Sequence, residues 1–232
     1  MKVTTDACLF GAWVASEVKS TKAKVKNVLD IGTGTGLLSL MYAQKNPNTF
    51  MDAIEIDKEA YEQAKENAAT SPFAERINLI HGDAKTFSFT KKYDLIISNP
   101  PFYEKELRSI DQKKNIAHHH SGLLLEELLS VIKLNLTPGG IFYLLLPYKR
   151  NDEIKKTLFE KDLAILKIIF VKQSTGHDFF RIMLTGKLKD ENEIETMIDE
   201  ISIWNDQQQY TKEFADLLKE YYLGLTSQPP LQ

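Results

Sequence analysis

The chain has 232 residues, of which 43% are hydrophobic and 26% are charged, and this suits one large α/β domain. Its formal net charge of −3 argues against a broadly basic nucleic-acid-binding protein, so any site for a polyanion must be a local patch. A single cysteine excludes an internal disulfide, and no apolar run reaches the ~18 residues that a membrane span needs. We therefore expect a cytoplasmic, monomeric protein without a membrane segment.

Strand-like and helix-like segments alternate along most of the chain. Strands are predicted at 28–31, 51–56, 77–80, 93–98, 141–146, 164–171 and 179–185. Helices are predicted at 6–18, 37–44, 58–69, 122–136, 152–159 and 211–222. This order predicts a Rossmann-like α/β fold, in which a seven-stranded, mostly parallel sheet ends in an antiparallel strand and carries helices on both faces.

We expect a single domain over residues 1–232. An N-terminal helix and connection would occupy 1–24, the core would occupy 25–187, and a C-terminal extension would occupy 188–232. Within that extension, the acidic run 190–199 is expected to face solvent or a protein partner.

A glycine-rich turn follows the first strand and opens the next helix. Asp30 precedes Gly32, Gly34 and Gly36, which let the backbone turn sharply and approach a ligand closely. A dinucleotide fingerprint has the spacing G-x-G-x-x-G and holds a pyrophosphate here, which the Asp30 carboxylate would repel. That carboxylate instead suits an ammonium group, so the turn predicts S-adenosyl-L-methionine as the cofactor rather than NAD.

Acidic residues also stand at the ends of the next two strands. Glu55, followed by Ile56, is predicted to accept hydrogen bonds from both ribose hydroxyls of the cofactor. Asp83, followed by Ala84, is predicted to receive its adenine amine. Ligands of open α/β sheets bind at the carboxyl ends of the strands, which favours one shared site. The alternative is that the glycines form a plain tight turn and the acids cap helices.

The fourth strand runs directly into Asn99-Pro100-Pro101-Phe102, and we predict that these four residues form the reaction centre. Two prolines cannot continue a sheet ladder, so they form a rigid loop beside the cofactor site. The side-chain carbonyl of Asn99 and the backbone carbonyl of Pro100 can hold one planar amine, and Phe102 can stack on a base. Asn99 is also expected to border the cofactor. The alternative is a turn that happens to carry an asparagine.

In this order, the motifs resemble those of the class I amino-methyltransferases, which use S-adenosylmethionine. That group acts on adenine in DNA or RNA, on guanine N2 in ribosomal RNA and on glutamine in release factors. The resemblance implies a class I methyltransferase fold, and the predicted closing pair of strands agrees with it. A module that binds the cofactor or RNA without turnover stays open as a further alternative.

Three other segments resemble the bacterial valine-tRNA adenine-N6 methyltransferases more narrowly. They are the opening Met1–Asp6 with Leu9–Trp13, the segment Ser71–Ile77, and the closing Tyr210–Leu223. This resemblance implies tRNA as the partner and methylation of N6 on the adenine immediately 3′ of the anticodon. The chain departs from the family pattern at Thr4, where glycine is usual, and at Ala117-His118-His119-His120, where an Ala-Arg-His pattern is usual and one expected cation becomes a histidine. Family members also usually carry an aromatic and basic stretch before this opening.

A basic run follows the reaction centre. Lys105, Arg108, Lys113 and Lys114 are predicted to meet RNA phosphates, with a solvated loop as the alternative. Lys149-Arg150, after the fifth strand, leaves the same two interpretations open. The neighbouring histidines 118–120 point in different directions and lack companions with metal spacing, so no metal is expected.

Overall fold

The computed structural model describes residues 3–20, 25–101, 123–191, 195–223 and 225. The strands are β1 (Asn27–Ile31), β2 (Phe50–Glu55), β3 (Ile77–His81), β4 (Tyr93–Ser98), β5 (Leu136–Pro147), β6 (Leu163–Ser174), β7 (Phe179–Leu188) and β8 (Met197–Trp204). The helices are α1 (Thr5–Ser20), α2 (Leu37–Lys45), α3 (Lys58–Ala69), α4 (Leu125–Asn135), α5 (Asn151–Glu160) and α6 (Lys212–Leu218).

The strands form one eight-stranded sheet in the order β3-β2-β1-β4-β5-β7-β6-β8. Strands β1 to β5 are parallel to one another, and β7 lies antiparallel between β5 and β6. The predicted fold class, with its mostly parallel sheet and antiparallel closing strand, is confirmed. Right-handed crossovers between the parallel strands place successive helices against the sheet. Because β1 to β5 are parallel to one another, their carboxyl ends lie at one edge of the sheet.

The predicted number of seven strands is wrong by one, because β8 adds a parallel edge strand beside β6. The first half of β8 is exposed and acidic, and this composition is typical of a solvated segment rather than a strand. Its second half alternates, with Ile201 and Ile203 buried against the core. Of the acidic run 190–199, residues 190, 191, 195 and 197–199 are exposed, and the run ends before that apolar pair.

Two other predicted boundaries are also wrong. The predicted helix at 122–136 ends at Asn135, and β5 begins at once with Leu136, five residues before the predicted strand at 141–146. The closing helix ends at Leu218, with Thr211 as its N-cap accepting a hydrogen bond from the Phe214 N–H.

Separate apolar clusters cover the two faces of the sheet. Helices α1, α2 and α6 pack on one face, where Phe10, Tyr42 and Phe214 are fully buried. Helices α4 and α5 pack on the other, through Leu128 and Leu158. Burying such side chains contributes roughly 1.5–3 kcal/mol each, so these two layers hold the strands in the register on which the site depends.

We expect Gly186→Ala to destabilise the fold. Gly186 lies in β7, and an added Cβ would stand 2.5 Å from the Ala164 carbonyl oxygen and 2.5 Å from Phe142 Cζ. Overpacking of this kind costs about 1–3 kcal/mol in the free energy of unfolding, which chemical denaturation measures. Gly139→Ala is the control, since a Cβ there meets nothing within 4 Å. Equal stabilities of the two variants would contradict the prediction.

Candidate active site

Strand register brings the predicted site residues to one edge of the sheet. β1 lies between β2 and β4, and Asp30 pairs with Ala53 on one side and Ile97 on the other. On the next strand along, Glu55 at the end of β2 pairs with His81 at the end of β3. The glycine turn, Glu55 and the segment after β4 are therefore neighbours in space, as the sequence predicts.

The glycine turn depends on left-handed backbone. Gly32, Gly34 and Gly36 have φ values of 69°, 59° and 84°, a region that other residues rarely adopt. The N–H of Gly32 donates to the Ile54 carbonyl at 2.9 Å, which ties the turn to the end of β2. A Cβ on Gly32 would meet nothing within 4 Å, so open space lies beside this backbone.

Asp30 is fully buried at the base of the turn. One carboxylate oxygen, Oδ2, accepts hydrogen bonds from the Thr33 and Ser39 hydroxyls, each at 2.7 Å. The other oxygen, Oδ1, has no hydrogen-bond partner among the residues that the structure describes. Burial raises the pKa of Asp30 to about 6, with the charge of Glu55 adding to the rise and the two hydroxyls opposing it.

Glu55 is almost completely buried and holds the turn from the other side. Its Oε2 accepts from the Gly34 N–H at 2.8 Å, and its Oε1 accepts from the Asp57 N–H at 2.9 Å. Each oxygen retains a second lone pair for another donor. Beside it, the Ile56 side chain is 52% exposed and offers an apolar surface at the strand end.

Asp57 fits the alternative interpretation, because its side chain caps α3 by accepting from the Ala60 N–H at 2.8 Å. Helix capping therefore accounts for this acid, whereas Glu55 bonds the glycine turn instead.

Asp83 and Ala84 stand just beyond β3 and are both partly exposed. The Asp83 carboxylate accepts from the Lys85 N–H at 2.9 Å, and the Lys85 ammonium lies 3.7 Å from it. Sequence reasoning missed the neighbouring pair of Tyr61 and His81, whose rings stack with centroids 5.1 Å apart. Only the tertiary packing of α3 on β3 brings these two rings together.

The segment after β4 is anchored to β1. Ser98, fully buried, donates its hydroxyl to the Ile31 carbonyl at 2.7 Å. Asn99 follows, partly exposed, with Pro100 buried and Pro101 exposed. Within the described ranges, no group hydrogen-bonds the Asn99 amide. The remaining predicted residues of this region lie outside the described residues: Phe102, Lys105, Arg108, Lys113, Lys114 and His118 to His120.

These residues fit three parts of S-adenosylmethionine: its ammonium group, its ribose and its adenine. The unpartnered, buried oxygen of Asp30 supplies negative charge for an ammonium group. The free lone pairs of Glu55 suit a pair of ribose hydroxyls, and the exposed face of Ile56 suits an aromatic base. The open space at Gly32 leaves room for the ligand to lie against the backbone.

Within residues 3–20, 25–101, 123–191, 195–223 and 225, no three histidine, cysteine or acidic side chains come together in a way that would bind a metal ion. Across the same ranges, no helix combines the length and the apolar character needed to cross a membrane.

Comparison with known protein families and curated relatives gives one answer. A family profile described as "Methyltransferase small domain" matches residues 13–147. A tRNA1(Val) (adenine(37)-N6)-methyltransferase of Dyadobacter fermentans is 38% identical, over 96% of this chain and 91% of its own. An enzyme of the same name from Flavobacterium johnsoniae is 37% identical, over 97% of this chain and 94% of its own.

Solved structures agree on the fold. A predicted O-methyltransferase from Agrobacterium tumefaciens matches with a TM-score of 0.69 at 16% identity, covering 91% of this chain and 95% of its own. The glycopeptide N-methyltransferase MtfA, solved with S-adenosyl-L-methionine, matches with a TM-score of 0.55 at 13% identity, covering 77% of this chain and 94% of its own.

We expect Asp30→Asn to change how the stability of the ligand-free protein depends on pH. Because the folded-state pKa of Asp30 is raised from 3.8 to about 6, its contribution to stability is full below the unfolded value and is lost as pH rises through about 6. Asparagine does not titrate. The difference in free energy of unfolding, variant minus wild type, should therefore rise by on the order of 2 kcal/mol from pH 4 to pH 8.

Urea unfolding of both proteins at pH 4, 6 and 8 measures this difference. The offset between them at any one pH is not informative, since an amide also replaces the two hydroxyl contacts imperfectly. Parallel stability curves across the three pH values would contradict the prediction.

Proposed function

The chain belongs to the family of tRNA1(Val) (adenine(37)-N6)-methyltransferases, and we propose that it methylates N6 of the adenine 3′ of the anticodon in a valine tRNA. It is an S-adenosylmethionine-dependent enzyme of class I fold. The observation that carries the substrate assignment is the 38% identity to a relative of that name over nearly the whole length of both chains.

The residues around the glycine turn are proposed to bind the cofactor. Asp30 is proposed to face the ammonium of the methionine part, and Glu55 to accept from the ribose hydroxyls. Ile56 and Ala84 would flank the adenine, with Asp83 receiving its amine. Gly32, Gly34 and Gly36 allow the backbone approach, because their φ values are positive, and a Cβ on Gly32 would meet nothing within 4 Å.

Asn99 and Pro100 act on the target amine. The lone pair of an adenine N6 is delocalised into the ring, so the amine is a weak nucleophile. The Asn99 side-chain carbonyl and the Pro100 backbone carbonyl each accept one N–H, which favours the pyramidal geometry that develops as N6 bonds to carbon. Pro101 stiffens the loop, and the hydrogen bond from Ser98 to Ile31 fixes where it begins.

When bound, S-adenosylmethionine supplies an electrophilic methyl group on a sulfonium sulfur and leaves as a thioether. N6 contributes its lone pair to the new bond and afterwards releases one proton. Much of the rate enhancement comes from holding the reacting groups together. Phe102 remains a predicted stacking partner of the base, and Lys105, Arg108, Lys113 and Lys114 remain predicted phosphate contacts.

The substrate is tested with total RNA from a strain that lacks the gene. Purified enzyme and labelled cofactor should label valine tRNA, and nucleoside mass spectrometry should identify N6-methyladenosine. Finding N2-methylguanosine would assign ribosomal guanine instead. Label in DNA or in a protein glutamine, with none in RNA, would equally overturn the adenine proposal.

We expect Asn99→Ala to reduce kcat about 10²–10³-fold, the usual loss when one preorganised hydrogen-bonding group is removed from a reaction centre. Cofactor affinity, measured by calorimetry, should fall far less than kcat, because Asp30 and Glu55 are intact and Asn99 only borders the cofactor. A variant that methylates RNA at the wild-type rate would exclude this role for Asn99.

We expect Glu55→Ala to weaken cofactor binding by about 10- to 100-fold, since hydrogen bonds to a charged group contribute roughly 1.5–3 kcal/mol each. Glu59→Ala is the matched control, because Glu59 is an exposed acid in the first turn of α3. Calorimetry with S-adenosylhomocysteine measures both. Similar affinities for the two variants would show that Glu55 does not bind the ribose.

A further inference from the structure

Three aromatic side chains form a cluster where the end of β5, the start of β7 and the later part of β6 lie side by side. Tyr148 lies 5.2 Å from Phe179 and 5.4 Å from Phe170, and Phe170 lies 5.1 Å from Phe179, measured between ring centroids. All three are partly exposed. The mechanism proposed above uses none of them, and we call them the aromatic cluster.

Strand register places the aromatic cluster beside the reaction centre. β4 ends at Ser98, which pairs with Leu144 of β5, and β5 continues from there to Pro147, which Tyr148 follows directly. Across the antiparallel pair, Pro147 faces Arg181, two residues after Phe179. Measured across the sheet, the strands that carry the rings therefore lie one to three strand spacings, roughly 5–15 Å, from β4, whose end leads into Asn99.

Positive charge accompanies the rings. The Lys172 ammonium lies 4.7 Å from the centre of the Phe179 ring and 3.4 Å from a Glu200 carboxylate oxygen. Lys149, next to Tyr148, is exposed. Aromatic faces interleaved with lysines are how proteins hold single-stranded nucleic acid, because bases stack on the rings while cations meet the backbone.

We propose that the aromatic cluster is a stacking platform for an unpaired nucleotide of the RNA next to the target adenine. This rests on the proposed function. A base that enters the reaction centre must leave its stack, and its neighbours lose stacking partners when it does. An aromatic surface at this distance replaces that lost stacking, and it helps hold the loop open while the target adenine is bound at Asn99.

The test is RNA binding measured without turnover. A fluorescent anticodon stem-loop of valine tRNA is titrated with protein in the presence of S-adenosylhomocysteine, which has no methyl group to transfer. Tyr148→Leu and Phe179→Leu should each raise the RNA Kd about 5- to 100-fold, the range expected for the loss of one base–aromatic stack. Tyr148→Phe, which keeps the ring, should stay within twofold of wild type.

Trp204→Leu is the matched control. Trp204 stacks on Tyr210 at 4.1 Å and ends β8, which lies four strands from β4 in the sheet. Its RNA Kd should stay within twofold of wild type. Cofactor affinity and Tm, measured for every variant, separate a local effect from unfolding. If Tyr148→Leu unfolds, Phe179→Leu and Lys172→Gln decide the question, the latter with a smaller expected rise in Kd.

Unchanged RNA binding by folded Phe179→Leu and Tyr148→Leu, in an enzyme that still methylates RNA, overturns the platform and leaves the proposed function standing. Weakened binding in an enzyme that labels another nucleotide overturns the adenine assignment and supports the platform. If the wild-type protein binds no RNA, both the platform and the proposed function are overturned. The same holds if the variants lose binding only to a glutamine-containing peptide.

Discussion

A buried carboxylate without full hydrogen-bonding compensation organises the candidate site. Asp30 receives two hydroxyl donors on one oxygen and none on the other within the described part of the chain. Removing charge from water is unfavourable, and its raised pKa expresses that cost. A cationic ligand group nearby would relieve it. The protein therefore keeps a locally unfavourable group where binding needs it, as functional sites often do.

The geometry around that carboxylate follows from the position of β1 in the sheet. β1 pairs with β2 on one side and β4 on the other, so the glycine turn sits between Glu55 and Asn99. A one-residue slip of either strand would turn its side chains to the opposite face. The two apolar layers prevent such a slip, and packing far from the edge thus sets the distances at it.

Sequence reasoning reached the fold class and the strand-end acids because both follow from local pattern. It could not reach features made by contacts between distant segments. The hydroxyls of Thr33 and Ser39 on Asp30, and the stack of Tyr61 on His81, depend on how helices pack. The aromatic cluster depends on the strand order β5-β7-β6, which no local pattern encodes. The sequence pattern does not predict β8, because acidic residues in its first half obscure the alternation of apolar and polar residues.

The hydrogen bond from Ser98 to Ile31 joins residues 67 positions apart, with β2, α3 and β3 in the intervening chain. Contacts of such long sequence separation form only after the intervening chain has been closed into a loop, and this slows folding. During synthesis, the glycine turn and Glu55 emerge from the ribosome well before Asn99 does. The glycine turn and Glu55, which are proposed to bind the cofactor, are thus present outside the ribosome before Asn99, which would meet the substrate amine.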